Sequence, residues 1–279
     1  MKIAVSAEST IDLPKELLEK YNIQTRAFGI NFKDKLVEDY LGISEEIFRF
    51  VEETKVLPKT SAIGPAEYKE YFEGLLKDND VVIHVSLSSN LSSSYNNARL
   101  AAEELGQVYV IDSRNLSTGI ALLAIYVRSL VDKGLEPADI VEKAQSYTKR
   151  IRSSFILDKL NYMHKGGRCS AVTLLGANLL KIKPQIVVND GRMGVGKKYR
   201  GTLSKVIDTY TDDVLAEYPN ANKSLVFITH SSPMPEEEKI VAEKLKKAGF
   251  KEILNTLAGG TICSHCGPNT LGILFVENE

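Results

Sequence analysis

Hydrophobic and polar positions in the first half of the chain alternate between two spacings. Short runs rich in β-branched residues predict strands, and longer stretches with apolar residues three or four positions apart predict helices. The predicted strands are residues 3–6, 23–32, 81–85 and 108–112. The predicted helices are residues 14–21, 44–53, 95–105, 117–133 and 137–150, with another that begins near Pro65 after a loop at residues 58–61. This alternation is typical of a doubly wound, mostly parallel sheet, whose ligands collect at the carboxyl ends of the strands.

The second half of the chain has a different pattern. Asp190-Gly191 separates two apolar runs, residues 185–188 and 193–199, and this arrangement predicts a tight antiparallel hairpin. The other predicted elements are helices at residues 158–165, 202–217 and 235–248 and strands at residues 225–229 and 271–276. We therefore predict an α/β protein with two domains. Residues 1–153 form a Rossmann-like N-terminal domain with a mostly parallel sheet, and residues 154–279 form a C-terminal α/β domain with a mixed sheet.

The composition is that of a globular protein. The 279 residues are 43% hydrophobic and 25% charged, which is enough for two domains with full cores. The three cysteines are an odd number and too few for a disulfide framework, which favours a reducing compartment. No apolar stretch approaches the roughly 20 residues of a membrane helix, and residues 1–6 begin a strand instead of a signal peptide. We expect a cytoplasmic protein without a membrane span.

Positive charge is concentrated in the middle of the chain. Residues 149–205 contain 13 Lys or Arg against two acids, Asp158 and Asp190, so this block carries +11 although the whole chain carries −1. Such a block can steer an acidic protein or a phosphorylated ligand, or it can be a solvated surface without a specific partner. A nucleic-acid partner is disfavoured because the block has no recognisable reading motif.

Serine is concentrated where a predicted strand passes into a predicted helix. Six of the nine residues 86–94 are serine, between the strand 81–85 and the helix that Gly106 closes. A strand-to-helix turn directs free backbone N–H groups and the positive end of the helix dipole at a ligand, and hydroxyl groups add neutral donors. The turn therefore suits an anionic group. Alternatively, the serines only cap the helix and form turns.

The segment Cys263-Ser264-His265-Cys266 invites a metal or redox interpretation, but the pattern is weak. Zinc would need two more ligands, for which only Cys169 and His230 are plausible remote donors. A thioredoxin-like motif should open a helix, whereas this one precedes Gly267-Pro268, which indicates a tight loop. We expect no metal and no cofactor.

His265 has two other possible roles. A neutral imidazole can donate a hydrogen bond to a carboxylate, or it can pair with Ser92 or Ser93 in a hydrolase or transferase. The catalytic alternative lacks a G-x-S-x-G turn and an acid that would orient His265. Nucleotide binding is poorly supported because neither a Walker A nor a G-x-G-x-x-G motif occurs. The serine turn contains no Lys or Arg, so its neutral donors suit a carboxylate better than a phosphate.

Six short segments together resemble the DegV family over the whole length of the chain. They occur in the order and spacing seen in that family, and they are residues 8–14, 59–61, 87–92, 164–168, 179–184 and 265–268. The resemblance implies a two-domain α/β fold that binds one long-chain fatty acid, such as a 16- or 18-carbon acid, in a buried tunnel. It also implies a non-catalytic subunit that presents the carboxylate to a separate ATP-dependent fatty acid kinase subunit for acyl-phosphate formation.

The resemblance also implies the site residues. Thr60 and Ser92 would bind the fatty-acid carboxylate, with Ser61, Ser93 and His265 close by. The basic block would then dock the kinase through Arg168, Lys197, Lys198 and Arg200. The chain departs from the family pattern, which usually has Asp in place of Glu8, Gly and Thr in place of Ser93 and Ser94, and Gly in place of Asn269. An acyl hydrolase or transferase, and a lipid carrier or sensor without a kinase partner, are the alternatives.

Overall fold

A computed structural model describes residues 1–173 and 182–279, and its first sheet is fully parallel. The strands of this sheet are β1 (Ile3–Glu8), β2 (Ile23–Arg26), β6 (Val81–Ser86) and β7 (Val108–Asp112). They lie in the order β2-β1-β6-β7. The central strands β1 and β6 are buried along their whole length, which explains their continuous apolar runs. The predicted parallel sheet is confirmed.

The second sheet is mixed, as predicted. Its strands are β8 (Ile151–Ile156), β9 (Lys183–Asn189), β10 (Arg192–Tyr199), β11 (Ala221–His230), β12 (Glu252–Leu257) and β13 (Leu271–Glu277). They lie in the order β10-β9-β8-β13-β11-β12, and only the β11–β12 pair is parallel. The predicted hairpin joins β9 and β10. Asp190 and Gly191 have φ angles of 47° and 78°, as a type I′ turn requires at both central positions.

A third, small sheet is antiparallel and was not predicted. It consists of β3 (Gly29–Phe32), β4 (Lys35–Glu38) and β5 (Lys59–Ser61) in the order β4-β3-β5. The single strand predicted over residues 23–32 is wrong, because the chain leaves the parallel sheet after Arg26 and pairs again only from Gly29. The predicted loop at residues 58–61 is also wrong, because β5 pairs with β3 there.

Most helices lie where the sequence predicts them. They are α1 (Lys15–Lys20), α2 (Ser44–Thr54), α3 (Pro65–Leu76), α4 (Ser94–Leu105), α5 (Thr118–Asp132), α6 (Pro137–Thr148), α7 (Leu160–Gly166), α8 (Ser170–Thr173), α9 (Leu203–Glu217), α10 (Pro235–Lys247) and α11 (Gly260–Cys266), with a 3₁₀ turn at Ser9–Ile11. Gly106 ends α4 with a φ of 72°, the left-handed conformation that glycine adopts easily. Within the described ranges, none of these helices has the length and apolar character needed to span a membrane.

The tight loop predicted around Cys263 and Cys266 is wrong, because both residues lie on α11. The helix forms because buried carboxylates accept its first N–H groups. Asp39 Oδ1 accepts from Gly260 N at 2.6 Å, and Asp12 Oδ1 accepts from Gly259 N at 2.8 Å. Such contacts satisfy donors that have no partner within a helix. Sequence reasoning could not see them, because more than 200 positions separate the partners.

The largest apolar cluster draws on both halves of the chain. Val5, Ile83 and Ile111 of the parallel sheet belong to the same cluster as Phe227 and Leu274 of the mixed sheet. Strand β8 crosses position 153, where the domain boundary was placed. The division into domains 1–153 and 154–279 stays a prediction. Of the motif segments, residues 179–184 lie partly outside the described residues.

Candidate functional site

A cavity of about 280 Å³ lies where the serine loop, defined as residues 86–94, faces α11. Its wall is largely apolar, and the larger apolar side chains are those of Phe28, Leu87, Leu91, Leu116, Met193 and Ile262. The polar side chains in the same wall belong to Thr60, Ser92, Ser93, Thr261 and His265, with one cation, Arg168. A mostly apolar pocket with a few convergent polar groups suits a ligand that has an apolar body and a small polar head.

The structure brings four of the five predicted head-group residues together. Thr60, Ser92, Ser93 and His265 all line the cavity, whereas Ser61 does not. Successive side chains of a strand point to opposite faces, so Ser61 on β5 faces away from Thr60. The Ser61 side chain is exposed and lies against Gly29, where an added Cβ would come within 2.3 Å of Ser61 Oγ.

The predicted docking residues do not form one group with the cavity. Arg168 lines it, but Lys197, Lys198 and Arg200 do not. Lys197 Nζ lies 2.8 Å from Asp213 Oδ1, so its charge is partly neutralised. Lys198 and Arg200 are exposed.

The six serines of the loop divide into two groups. Ser92 and Ser93 line the cavity, whereas the other four hold the loop in place. Ser88 Oγ donates to the carbonyl of Gly191 at 2.8 Å, and Ser89 Oγ donates to Asp112 Oδ2 at 2.6 Å. The first of these bonds ties the loop to the β9–β10 turn. The concentration of serine therefore reflects loop structure as well as a site.

A buried carboxylate anchors the first residues of the serine loop. Glu8, at the carboxyl end of β1, is completely buried, and its Oε2 accepts the backbone N–H of Leu87 at 2.9 Å. Its Oε1 accepts from Ser86 Oγ at 2.6 Å and from Tyr68 Oη at 2.7 Å, and lies 3.3 Å from His84 Nε2. Burial alone would raise the pKa of Glu8, but His84 and these hydrogen bonds lower it below its usual range.

The same network reaches the cavity through hydroxyl groups. Ser94 is fully buried beside Tyr68, and its Oγ lies 3.1 Å from Ser92 Oγ. The backbone N–H of Ser94 also donates to Ser92 Oγ at 3.2 Å. When Ser94 Oγ is the donor in this hydroxyl pair, Ser92 Oγ accepts both bonds and can donate its own proton into the cavity. Sequence reasoning missed Glu8 as a functional residue, although an acid at the end of a buried strand is itself an unusual feature.

His265 is fixed by two close neighbours. Its Nε2 lies 3.0 Å from Thr60 Oγ1, and its Nδ1 lies so close to Gly166 that an added Cβ there would come within 2.6 Å of that atom. Glycine at position 166 therefore lets α7 approach the imidazole. Burial, with a smaller contribution from Arg168, lowers the pKa of His265 to about 4. The imidazole is uncharged at neutral pH, as its predicted role as a neutral donor requires.

The lowered pKa of His265 predicts a dependence of stability on pH. In the unfolded chain the imidazole takes up a proton near pH 6.5, whereas in the folded protein it does so only near pH 4. Between these values the unfolded state binds more protons, so we expect the free energy of unfolding to fall as the pH is lowered, by up to about 3 kcal/mol. Urea denaturation of the wild type and of His265→Gln, repeated from pH 7 to pH 4, measures this. Parallel curves for the two proteins would contradict it.

Two further buried acids position the helix that carries His265. Asp12 and Asp39 accept N–H groups at the start of α11, and Asp39 also accepts a hydrogen bond from Ser9 Oγ at 2.9 Å. Burial raises the pKa of both carboxyl groups. Both residues come from the N-terminal half of the chain, so they hold α11 against the elements that bear Thr60 and Ser92.

The geometry does not favour the catalytic or metal alternatives. Among the residues that the structure describes, His265 Nδ1 has no hydrogen-bond partner and no acid orients the ring, and Nε2 pairs with Thr60 instead of Ser92 or Ser93. Burial raises the pKa of the Cys263 and Cys266 thiols, which disfavours the reactive thiolate form. Within residues 1–173 and 182–279, no three His, Cys, Asp or Glu side chains are grouped so that they could hold a metal ion.

Comparison with known proteins agrees with the resemblance seen in the sequence. A fatty acid-binding protein of Thermotoga maritima is 30% identical, and the alignment covers 98% of this chain and 96% of the relative. A DegV family protein from Thermus thermophilus shares the fold, with a TM-score of 0.92 at 23% identity over 100% of both chains. A DegV family protein from Ruminococcus gnavus, solved with vaccenic acid, has a TM-score of 0.85 at 27% identity over 98% of this chain and 99% of its own.

The family assignment rests on the match to a family model. The model is described as an uncharacterised protein of the DegV family, and it covers residues 2–278. The match therefore includes every element that builds the cavity, from β1 to β13. The chain belongs to the DegV family.

Proposed function

We propose that the protein binds one long-chain fatty acid in the cavity, with the acyl chain against the apolar wall and the carboxylate at Thr60, Ser92, Ser93 and His265. The observation that carries this proposal is the grouping of uncharged donors, beside the single cation Arg168, in a cavity whose larger side chains are otherwise apolar. The names of two relatives support it, since one is a fatty acid-binding protein and another was solved with vaccenic acid.

The hydrogen bonds around Thr60 and Ser92 suit a carboxylate. If His265 Nε2 donates its proton to Thr60 Oγ1, the Thr60 hydroxyl proton is directed to the ligand. Ser92 is in the same position if Ser94 Oγ donates to it, because the Ser94 hydroxyl and N–H then occupy both lone pairs of Ser92 Oγ. Two hydroxyl donors would then meet the two carboxylate oxygens. Ser61 has no part in this arrangement, since its side chain lies on the other face of β5.

Most of the binding free energy would come from the acyl chain. Burial at roughly 0.8 kcal/mol per methylene gives a 16-carbon chain an upper bound of about 12 kcal/mol. A small inner void of about 30 Å³ shares Leu116, Ile262 and Cys266 with the first cavity. We infer that the chain passes these three residues as it extends into the protein.

The finer part of the proposal is that the protein presents the carboxylate to a separate kinase subunit. A ligand carboxylate oxygen would attack the γ-phosphorus of ATP held by that subunit, the bond from this phosphorus to ADP would break, and an acyl phosphate and ADP would form. The protein itself would supply no nucleophile and no base. Arg168 lines the cavity and is exposed, which supports a role for it in docking the kinase, together with Lys197, Lys198 and Arg200 of the basic block.

Organic extraction followed by mass spectrometry tests the first part. We expect near one fatty acid per purified chain. A ligand-free protein that reacts with a serine-directed fluorophosphonate would support the hydrolase alternative instead.

For the second part, the loaded protein is mixed with a cognate kinase subunit and ATP. Charge reversal at Arg168, Lys197, Lys198 and Arg200 should slow the phosphorylation and change its salt dependence, and an unchanged rate would refute the docking surface.

A further inference from the structure

A second, open cavity lies directly outside the first and is strongly cationic. This basic basin has a volume of about 580 Å³, and its charged side chains are those of Lys55, Lys59, Lys165 and Arg168. Among the described residues that line it, none is acidic. Thr60, Arg168 and His265 belong to both cavities. Any group that extends outward from the proposed carboxylate position would therefore enter the basin.

The charges of the basin are not neutralised by neighbouring acids. Lys55 Nζ donates to the carbonyl of Glu52 at 2.6 Å, Lys165 Nζ to the carbonyl of Lys55 at 3.4 Å, and Arg168 to the carbonyl of Gly166 at 2.8 Å. In the part of the chain that the structure describes, none of the four cations forms a salt bridge, whereas Lys183 and Lys197 of the basic block at residues 149–205 do. The basin thus keeps a net positive charge.

Its wall also contains a buried hydroxyl group that has no partner among residues 1–173 and 182–279. Ser264 lies in the wall of the basin and is almost completely buried, and its Oγ forms no hydrogen bond. Unpaired buried polar atoms are uncommon in proteins, and a bound group that supplies their partners is one explanation. Cations beside a free hydroxyl donor are the chemistry that recognises phosphate.

We propose that the basic basin is a subsite for a phosphoryl group, and that it holds the phosphoryl end of an acyl phosphate whose acyl chain fills the first cavity. This inference rests on the proposed function and adds a preference for a phosphorylated lipid over a free fatty acid. The uncharged clamp at Thr60 and Ser92 suits a carboxylate, whereas the four cations favour a head group with more negative charge. The protein would then hold the phosphorylated lipid more tightly than the free acid.

The test compares two ligands of equal chain length on the full-length protein after delipidation. Hexadecanoic acid and hexadecyl phosphate, which does not hydrolyse, each compete with a fluorescent fatty acid. We expect the wild type to favour the phosphate about ten-fold. The double variant Lys55→Gln/Lys165→Gln should lose most of this preference, while its affinity for hexadecanoic acid stays within about two-fold. Lys133→Gln/Lys143→Gln removes the same charge from exposed lysines outside the basin and should retain the preference.

The possible outcomes separate the two proposals. If neither ligand binds, the proposed function is wrong. If hexadecanoic acid binds and hexadecyl phosphate binds no better, the proposed function stands and the phosphoryl subsite is refuted. An equal loss of preference in the two double variants would also refute it, because long-range charge would then explain the effect. Binding of inorganic phosphate and of ATP is measured in the same way. If ATP binds without any lipid, and this binding needs Lys55 and Lys165, the basin is a nucleotide site instead.

Discussion

Replacing Glu8 with alanine is expected to lower the free energy of unfolding by about 3–5 kcal/mol, the usual cost of breaking a buried charged network on one side. The variant would leave Tyr68, Ser86 and the N–H of Leu87 without their acceptor, and His84 without the Glu8 carboxylate. Urea denaturation of ligand-free protein at neutral pH measures the change.

A matched control for this variant is Glu73→Ala. Glu73 is exposed on α3 and forms no salt bridge among the described residues, so its loss should change stability by less than about 0.5 kcal/mol. Glu8→Gln should give an intermediate loss, since the amide keeps one oxygen but places an NH₂ group against hydrogen-bond donors. A loss below about 1 kcal/mol for Glu8→Ala would show that the network does not anchor the serine loop.

Removing both proposed carboxylate donors is expected to weaken fatty-acid binding by about 100- to 1000-fold. Thr60→Val keeps the shape of the side chain, and Ser92→Ala removes one oxygen, so the double variant changes the head-group contacts but not the apolar wall. A hydrogen bond to a charged group contributes roughly 1.5–3 kcal/mol, and two such losses give this range when they do not fully add. Competition with a fluorescent fatty acid after delipidation measures the affinity.

Ser61→Ala is the control for this variant. Ser61 adjoins Thr60 in the sequence but points away from the cavity, so its removal should leave the affinity within about two-fold. Equal losses in Thr60→Val and Ser61→Ala would mean that strand β5 itself is disturbed, and the head-group assignment would then fail. Circular dichroism and a denaturation curve for each variant show whether the fold is retained.

The sequence predicted the parallel sheet and most helices because burial on both faces and helical spacing leave clear patterns. Strand β8 was missed because Ser153 and Ser154 interrupt its apolar run. In the structure Ser154 Oγ lies 2.9 Å from the hydroxyl of Tyr210, and this hydrogen bond offsets the cost of burying the serine. Strand β12 lies at the edge of its sheet and is mostly half-exposed, so it lacks a continuous apolar run.

The candidate site was predictable in part. Motif resemblance placed Thr60, Ser92, Ser93 and His265 in one site, and the structure brings them to one cavity. It could not separate Thr60 from Ser61, because a strand of three residues is too short to show an alternating pattern. Nor could it find Glu8 or Asp39, since their roles depend on contacts across 79 and 221 residues of sequence.

The placement of the cavity couples the proposed ligand to the stability of the fold. Its wall combines Thr60 and Ser92 with Ile262 and His265, so a bound acyl chain would join segments from opposite ends of the sequence. A ligand at 100 times its dissociation constant adds about 2.7 kcal/mol to the stability of the state that binds it. The ligand-free protein would therefore be the less stable form, and a protease that cleaves the unfolded chain would degrade it faster than the loaded form.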